Sequence, residues 1–163
     1  MTEHAATTTP AAGLGAKVLT VSDGVIGGTR EDKSGRALVE RLMAEGFDVV
    51  ERRVVADGIQ NVGEAIVEMA EGFNGLIVST GGTGFGPRDL SPEGTRMVLD
   101  REAPGLAEAM RAVNPLGRLS RGLAGTRGAA LIINTPGSTG GAIECLEAVI
   151  DVLPHAIRLL SGD

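Results

Sequence analysis

Three short runs constrain the fold most: Lys17-Val18-Leu19-Thr20-Val21, Leu76-Ile77-Val78 and Ala130-Leu131-Ile132-Ile133. Each is nearly continuous in apolar and β-branched residues, where a strand with one wet face would alternate. Such runs suit strands of a parallel sheet covered on both faces. A further strand is expected across Phe47 to Val55. Helical patterns lie between them, as parallel crossovers require. Val62, Ala65, Ile66, Met69, Ala70 and Phe73 share one helical face, with Asn61 as the expected N-cap and Glu64 three residues later. A second helix is expected from Ser34 to Glu45, turning Leu38, Val39 and Leu42 inward, with Gly46 to end it. Ser91-Pro92 opens a third helix, and a last pair covers roughly residues 141–160, interrupted at Pro154.

This alternation predicts one three-layer α/β/α domain over residues 16–163, built on a doubly wound, mostly parallel sheet. Residues 1–15, rich in Ala, Thr and Gly without periodicity, read as a disordered tail. The segment from Asn114 to Arg127 carries no readable pattern. The length of 163 residues leaves little room for a second domain.

Composition narrows the function. Aromatic residues make up 2% of the chain, with no Trp and no Tyr, which removes the stacking platforms of single-strand nucleic-acid binders. A net charge of −6 argues against holding a phosphate backbone. An acidic chain that binds anions must do so locally, through backbone amides, a few placed cations, or a divalent metal on carboxylates. Cys145 is the single cysteine, so neither an intramolecular disulfide nor a multi-cysteine zinc site can form. Its place on an apolar helical face reads as a buried thiol, and His155, after Pro154, reads as structural. No signal-peptide pattern and no membrane-length apolar stretch is present, so the cytoplasm is expected.

Ligands of open parallel sheets bind beyond the carboxyl ends of the strands. Three predicted strands run straight into loops of unusual composition. The first loop runs from Ser22 to Gly35 and mixes carboxylates, cations and hydroxyls before a helix. It suits a phosphate or metal pocket at a helix N-terminus, or a solvated loop that Asp32 or Ser34 caps. Ser22 and Asp23, at the strand end, are open to either role. The second loop, Ser79-Thr80-Gly81-Gly82-Thr83-Gly84-Phe85-Gly86-Pro87-Arg88-Asp89-Leu90-Ser91-Pro92-Glu93, is the strongest signal. Its glycines let amides approach an anion, its hydroxyls add donors, and Arg88 and Asp89 supply a cation and a metal ligand. It is neither a P-loop nor a dinucleotide fingerprint. The third loop, Asn134 to Gly141, offers hydroxyls and amides, although its composition also suits an ordinary turn. Asp57-Gly58 by itself reads as a turn.

The Thr-Gly-Gly-Thr-Gly core and the Pro-Arg-Asp-Leu-Ser-Pro-Glu continuation resemble the molybdenum cofactor biosynthesis domain family, which includes MogA- and MoaB-like bacterial proteins and a plant C-terminal domain. The similarity extends from about Val18 to the end. It takes in Val21-Ser22-Asp23, Asp32-Lys33-Ser34-Gly35, Val55-Ala56-Asp57, Ile133-Asn134-Thr135-Pro136-Gly137 and Leu153-Pro154-His155-Ala156.

The resemblance implies a doubly wound sheet of mixed direction and a homotrimer. It also implies Mg²⁺-dependent transfer of AMP from ATP to the terminal phosphate of molybdopterin, with release of pyrophosphate. A later enzyme, which the protein would contact, inserts molybdate. A non-catalytic, MoaB-like molybdopterin-binding protein is the alternative. By resemblance Asp57 and Asp89 are catalytic and metal-holding. Thr80, Gly81, Gly82, Thr83, Gly84 and Arg88 would contact the nucleotide. Ser22, Asp23, Ser34, Pro136, Gly137 and Ser138 would contact the pterin. Thr139, Gly140 and Gly141 stand where many relatives carry Pro or Asn, often followed by Lys. A missing cation there would shift its work to Arg118, Arg121 or Arg127, while Lys33 and Arg30 are further helpers.

Overall fold

A computed structural model describes residues 9–162. The three apolar runs form β1 (Gly15–Val21), β3 (Gly75–Thr80) and β6 (Ala130–Thr135), side by side at the centre of a six-stranded sheet. The Phe47 to Val55 run supplies β2 (Asp48–Val55) on one edge. The order is β2-β1-β3-β6-β5-β4, where β4 is Arg101–Glu102 and β5 is Ala124–Arg127. The first four strands in that order are parallel, and β5 runs antiparallel to β6 and to β4.

Every residue of β3 and β6 is buried, because helices cover both faces. On one face Val18, Leu76, Val78, Leu131 and Ile133 pack under α2 (Lys33–Glu45), α5 (Pro104–Ala112), α6 (Thr139–Val149) and α7 (Leu153–Leu160), which contribute Leu38, Leu42, Met110, Leu146, Leu153 and Ile157. On the other face Leu19, Val21, Ile77 and Ile132 meet Val62, Ile66 and Met69 of α3 (Ile59–Ala70). Packed against α3 lies α4 (Ser91–Val98), whose Val98 also joins this core and whose buried Thr95 meets Asn134 of β6. Each fully buried Leu or Ile contributes on the order of 1.5–3 kcal/mol. One turn, α1 (Asp23–Ile26), follows β1, and a short 3₁₀ turn spans Pro115–Leu119.

Some expectations give way. Within the expected tail, residues 1–8 lie outside the described ones, but 9–15 do not behave as a tail. Ala11 is fully buried in the core, the Arg158 guanidinium donates to the Pro10 carbonyl, and Gly15 already belongs to β1. Asn61 is not an N-cap: α3 starts at Ile59 after Gly58, whose φ of +128° suits glycine. Asn61 sits in the first turn and donates to the Asp57 carbonyl at 3.1 Å. Pro154 interrupts the last helical stretch by opening α7, where its missing N–H costs nothing. Elements α5, β4 and β5 were not readable from the sequence, since β4 and β5 are two and four residues long and neither carries a long apolar run.

Candidate active site

Strand register brings the loops together. Thr20 pairs with Thr80, and Thr80 with Thr135, so β1, β3 and β6 end at one level of the sheet. Their three following loops share one edge, and a cleft of about 990 Å³ opens there. Ser22, Asp57, the Thr80–Gly84 stretch, Asp89, Ser34 and Pro136–Ser138 all line it. Asp23 and Arg88 stand beside it and are not part of its wall.

The β1 and β2 loops are stitched to each other. The Asp23 amide donates to Asp57 Oδ2 at 2.9 Å, and the Asp57 amide returns a bond to Asp23 Oδ1 at 3.1 Å. Ser22 Oγ accepts from the Val25 amide at 3.1 Å and caps α1. Arg88 then grips the corner: Nε and one terminal nitrogen donate to the two Asp23 carboxylate oxygens at 3.0 Å each, and the latter also reaches the Asp57 carbonyl at 3.0 Å. This planar, two-point pairing is what a guanidinium does best. The Arg88 hydrogen bond holds the Asp23 carboxyl below its ordinary value against the opposing effect of burial. Asp57 behaves oppositely. Burial raises its pKa, and the charges of Asp23 and Asp89 add to the rise beyond what the Asp23 amide and Arg88 recover. The sequence placed Asp23 among the pterin contacts and Arg88 among the nucleotide contacts, yet here they hold each other.

The glycine loop follows β3. Gly81 and Gly82 adopt φ of +103° and +71°. A side chain on Gly81 would strike the Val21 carbonyl, and one on Gly82 would strike the Ser91 hydroxyl. The loop's carbonyls are drawn away from the cleft by protein donors. Ser91 Oγ takes the Gly81 carbonyl at 2.8 Å, and the Ser91 amide takes that of Gly82 at 3.0 Å. The Arg121 amide takes Thr83 O at 2.9 Å, and Arg121 Nε takes Gly84 O at 2.9 Å. The amides of Gly82, Thr83 and Gly84 find no acceptor among the described residues. A loop with its carbonyls engaged and its amides free is a nest for an anion. Asp89 Oδ2 accepts from the Gly86 amide at 2.8 Å, which fixes the carboxylate beside the loop.

Two helix N-termini complete the polar side. Asp32 caps α2 by accepting from the Gly35 amide at 3.1 Å, and its carboxylate is anchored by the Thr20 hydroxyl and by Arg52 at 2.8 Å. Ser138 caps α6, accepting from the Gly141 amide at 3.2 Å. Lys33, Ser34, Ser138 and Thr139 therefore meet the cleft where helix dipoles favour negative charge. The Thr80 hydroxyl donates to the Pro136 carbonyl at 2.8 Å and lies 3.0 Å from Ser34 Oγ, tying the three loops together. Ser79, Thr80, Asn134 and Thr135, read from the sequence as loop residues, are the buried last residues of their strands. Asn134 Nδ2 donates to Ser79 Oγ at 2.9 Å and to Thr95 Oγ1 at 3.1 Å, while Oδ1 accepts from the Leu123 amide at 3.0 Å.

None of Arg118, Arg121 and Arg127 lines the cleft. Arg118 donates to Pro115 O, Arg127 to Val98 O, and Arg121 serves the glycine loop from behind. The cations that do line it are Arg30, Lys33 and Arg111, the last of which the sequence did not single out. Also unforeseen is an apolar flank built by α5 and the 3₁₀ turn from Met110, Val113, Leu116 and Leu119. Its one sequence signal is the apolar spacing within residues 104–119, blurred by Pro104 and Pro115. Cys145 is part-buried and lines the cleft, against the expectation of full burial; burial, then the Glu144 charge, pushes its thiol up to about 11 and leaves it unreactive at neutral pH. His155 is exposed on α7 and does not line the cleft.

No cluster of three or more His, Cys, Asp or Glu among the described residues is arranged to hold a metal. Mg²⁺ does not need one, since it takes one or two carboxylates and completes its shell with water and phosphate oxygens. Asp57 and Asp89 fit that demand: both line the cleft, and each is close enough for the Asp89 charge to raise the Asp57 pKa.

Comparison with known proteins agrees with this geometry. Residues 17–155 match the family described as a probable molybdopterin binding domain. The chain is 37% identical over 153 residues to a molybdopterin adenylyltransferase of Helicobacter pylori, covering 90% of this chain and 87% of that protein. It is 33% identical over 165 residues to the molybdopterin adenylyltransferase of Escherichia coli, covering 89% and 84%. Its fold superposes on the crystal structure of the molybdopterin biosynthesis enzyme MoaB of Thermus thermophilus with a TM-score of 0.87 at 46% identity, covering 92% of this chain and 98% of that one. By fold and by sequence, the chain belongs to the molybdenum cofactor biosynthesis family of probable molybdopterin binding domains.

Proposed function

We propose that this protein is a molybdopterin adenylyltransferase, joining AMP from ATP to the terminal phosphate of molybdopterin and releasing pyrophosphate. The observation that carries the reading is the loop after β3: amides of Gly82, Thr83 and Gly84 without acceptors among the described residues, placed beside Asp57 and Asp89 in one cleft. The curated relatives of this length carry that activity in their names.

The reaction joins two polyanions, so the site must cancel their repulsion and align them. An oxygen of the pterin phosphate attacks the α-phosphorus of ATP, a new P–O bond forms, and the bond to the β-phosphate breaks to leave pyrophosphate. The nucleophile is already ionised at neutral pH, so no residue has to act as general base. Catalysis is then positioning and electrostatic stabilisation. The free amides of the glycine loop receive phosphate oxygens of the nucleotide. Lys33, Arg30 and the N-termini of α2 and α6 attract the second phosphate from the other side of the cleft. Mg²⁺ held by Asp57 and Asp89 would neutralise phosphate charge. The apolar flank of Met110, Val113 and Leu116 offers a surface for a flat ring system.

We assign to the same reading a homotrimer in the cytoplasm, which passes its product to the enzyme that inserts molybdate. No helix among the described residues is long and apolar enough to cross a membrane. The test is pyrophosphate release from ATP and Mg²⁺ by purified protein, with and without molybdopterin. Release that requires molybdopterin is expected. Tight molybdopterin binding without release would replace the transferase with a non-catalytic, MoaB-like binder.

A further inference from the structure

We infer that Arg121 is a positioning residue: without touching substrate, it sets the shape of the anion-binding loop and the place of Asp89. The inference rests on the adenylyltransferase reading for its kinetic consequences, but not for its structural ones.

Arg121 turns its backbone amide and its guanidinium on the glycine loop and on the first turn of the helix that follows it. Its amide holds the Thr83 carbonyl at 2.9 Å, Nε holds that of Gly84 at 2.9 Å, and one terminal nitrogen holds that of Asp89. The other terminal nitrogen pairs with Glu93 in the first turn of α4. The side chain is about one-third exposed and is absent from the cleft wall. It therefore holds the loop without facing the cleft. The Thr83 carbonyl shares its peptide unit with the free Gly84 amide, and the Asp89 carbonyl belongs to the residue whose carboxylate lines the cleft, while Ser91 holds the Gly81 and Gly82 carbonyls whose units carry the other two free amides. Pulling the Thr83 and Gly84 carbonyls back turns the Gly84 and Phe85 amides the other way, because each peptide unit is planar and its C=O and N–H point in opposite directions.

A lysine cannot reproduce this. Its single ammonium cannot span carbonyls and a carboxylate that a flat guanidinium reaches together. Charge alone is a separate role. Burial opposes ionisation of Glu93, and Arg121 with the helix backbone outweighs it, leaving the carboxyl below its ordinary value. Among the described residues Glu93 Oε2 is buried without a hydrogen-bond partner, so loss of Arg121 would strand a carboxylate as well as release the loop.

The two roles separate in variants. Arg121→Ala removes both, Arg121→Lys keeps the charge, and Arg121→Ala with Glu93→Gln removes the stranded charge. In all three we expect faster hydrogen exchange at the bonded amides of the loop and its edge, those of Gly86, Asp89 and Ser91. We also expect the half-saturating ATP concentration to rise roughly tenfold or more. Molybdopterin affinity should stay near that of the parent protein. The double variant should regain melting temperature over Arg121→Ala without regaining ATP affinity. Recovery of ATP affinity in the double variant or in Arg121→Lys would reduce Arg121 to a counter-ion for Glu93 and overturn the inference. Parallel loss of both ligands would do the same. Should the parent protein transfer no adenylyl group, the functional reading falls alone, and the exchange measurement still decides whether Arg121 shapes the loop.

Discussion

Two polar regions meet at the carboxyl edge of the sheet, and they are built on opposite rules. Beneath the loops lies a buried bracket of Ser79, Thr80, Thr95, Asn134 and Thr135, closed above by Ser34, in which hydroxyls and amides answer one another within 3.1 Å. Above it lies a rim of three carboxylates, Asp23, Asp57 and Asp89, steadied by the single guanidinium of Arg88 and by backbone amides. The bracket is satisfied and neutral, so it holds the strand ends in register. In the rim three carboxylates share one guanidinium, and Asp57 bears the strain: burial and its carboxylate neighbours raise its pKa.

The sharpest way to break that contrast is to change the rim without touching the bracket. Asp89→Asn keeps an oxygen to accept from the Gly86 amide, so the melting temperature should hold while turnover falls by about 10²–10³-fold. Near-parental pyrophosphate release in this variant would remove Asp89 from the mechanism. The converse change is Asn134→Leu, which leaves Ser79 Oγ, Thr95 Oγ1 and the Leu123 amide without their partner. It should cost about 2–4 kcal/mol in urea denaturation at unchanged slope, with activity per folded molecule retained. If stability were unmoved, the bracket would have no structural role.

Acid should expose the rim next. Because the Asp57 pKa is raised by burial and by its carboxylate neighbours, the acidic limb of kcat/KM should begin above the range of an ordinary aspartate. Arg88→Ala removes a cation that lowers this pKa, and the limb should shift to still higher pH. A limb that stays fixed in that variant would assign it to another group. The smallest effect concerns stability. A carboxyl whose folded pKa is raised favours the fold below its unfolded value and loses that contribution as pH rises through the folded value. At pH 7 the Asp57 charge therefore opposes folding, and Asp57→Asn should raise the melting temperature slightly while abolishing turnover. The gain should vanish in acid, where aspartic acid is neutral in both states. A lower melting temperature at pH 7 would show that the Asp57 carboxylate supports the fold.

The buried strands were legible because burial on both faces leaves its mark in consecutive apolar residues, as in Leu76-Ile77-Val78. The glycine loop was legible because positive φ at Gly81 and Gly82 leaves few alternatives to glycine. Arg121 was not, since a guanidinium that binds carbonyls has the same letters as one in solvent, and only the returning chain brings it behind Gly84. Arg88 was legible as a cation, but its pairing with Asp23 was not, because that partner lies 65 residues away. The apolar flank from Met110 to Leu119 escaped for a different reason. Its residues sit on a three-turn helix and a 3₁₀ turn between prolines, too short for either period to declare itself.

The sheet also decides what it will not join. One margin is β4, two residues long, and the other is β2, where Glu51, Arg52 and Arg53 are each committed to an ion pair, with Lys17, Asp32 and Glu68 respectively. A long bare margin would offer its unpaired amides and carbonyls as a template for further strands, the first step toward fibrous deposits. Here one margin is too brief to copy and the other is fenced with charge. Replacing Glu51 and Arg53 with valine would leave the cleft as it is, while turning a self-limiting sheet into one that recruits its neighbours.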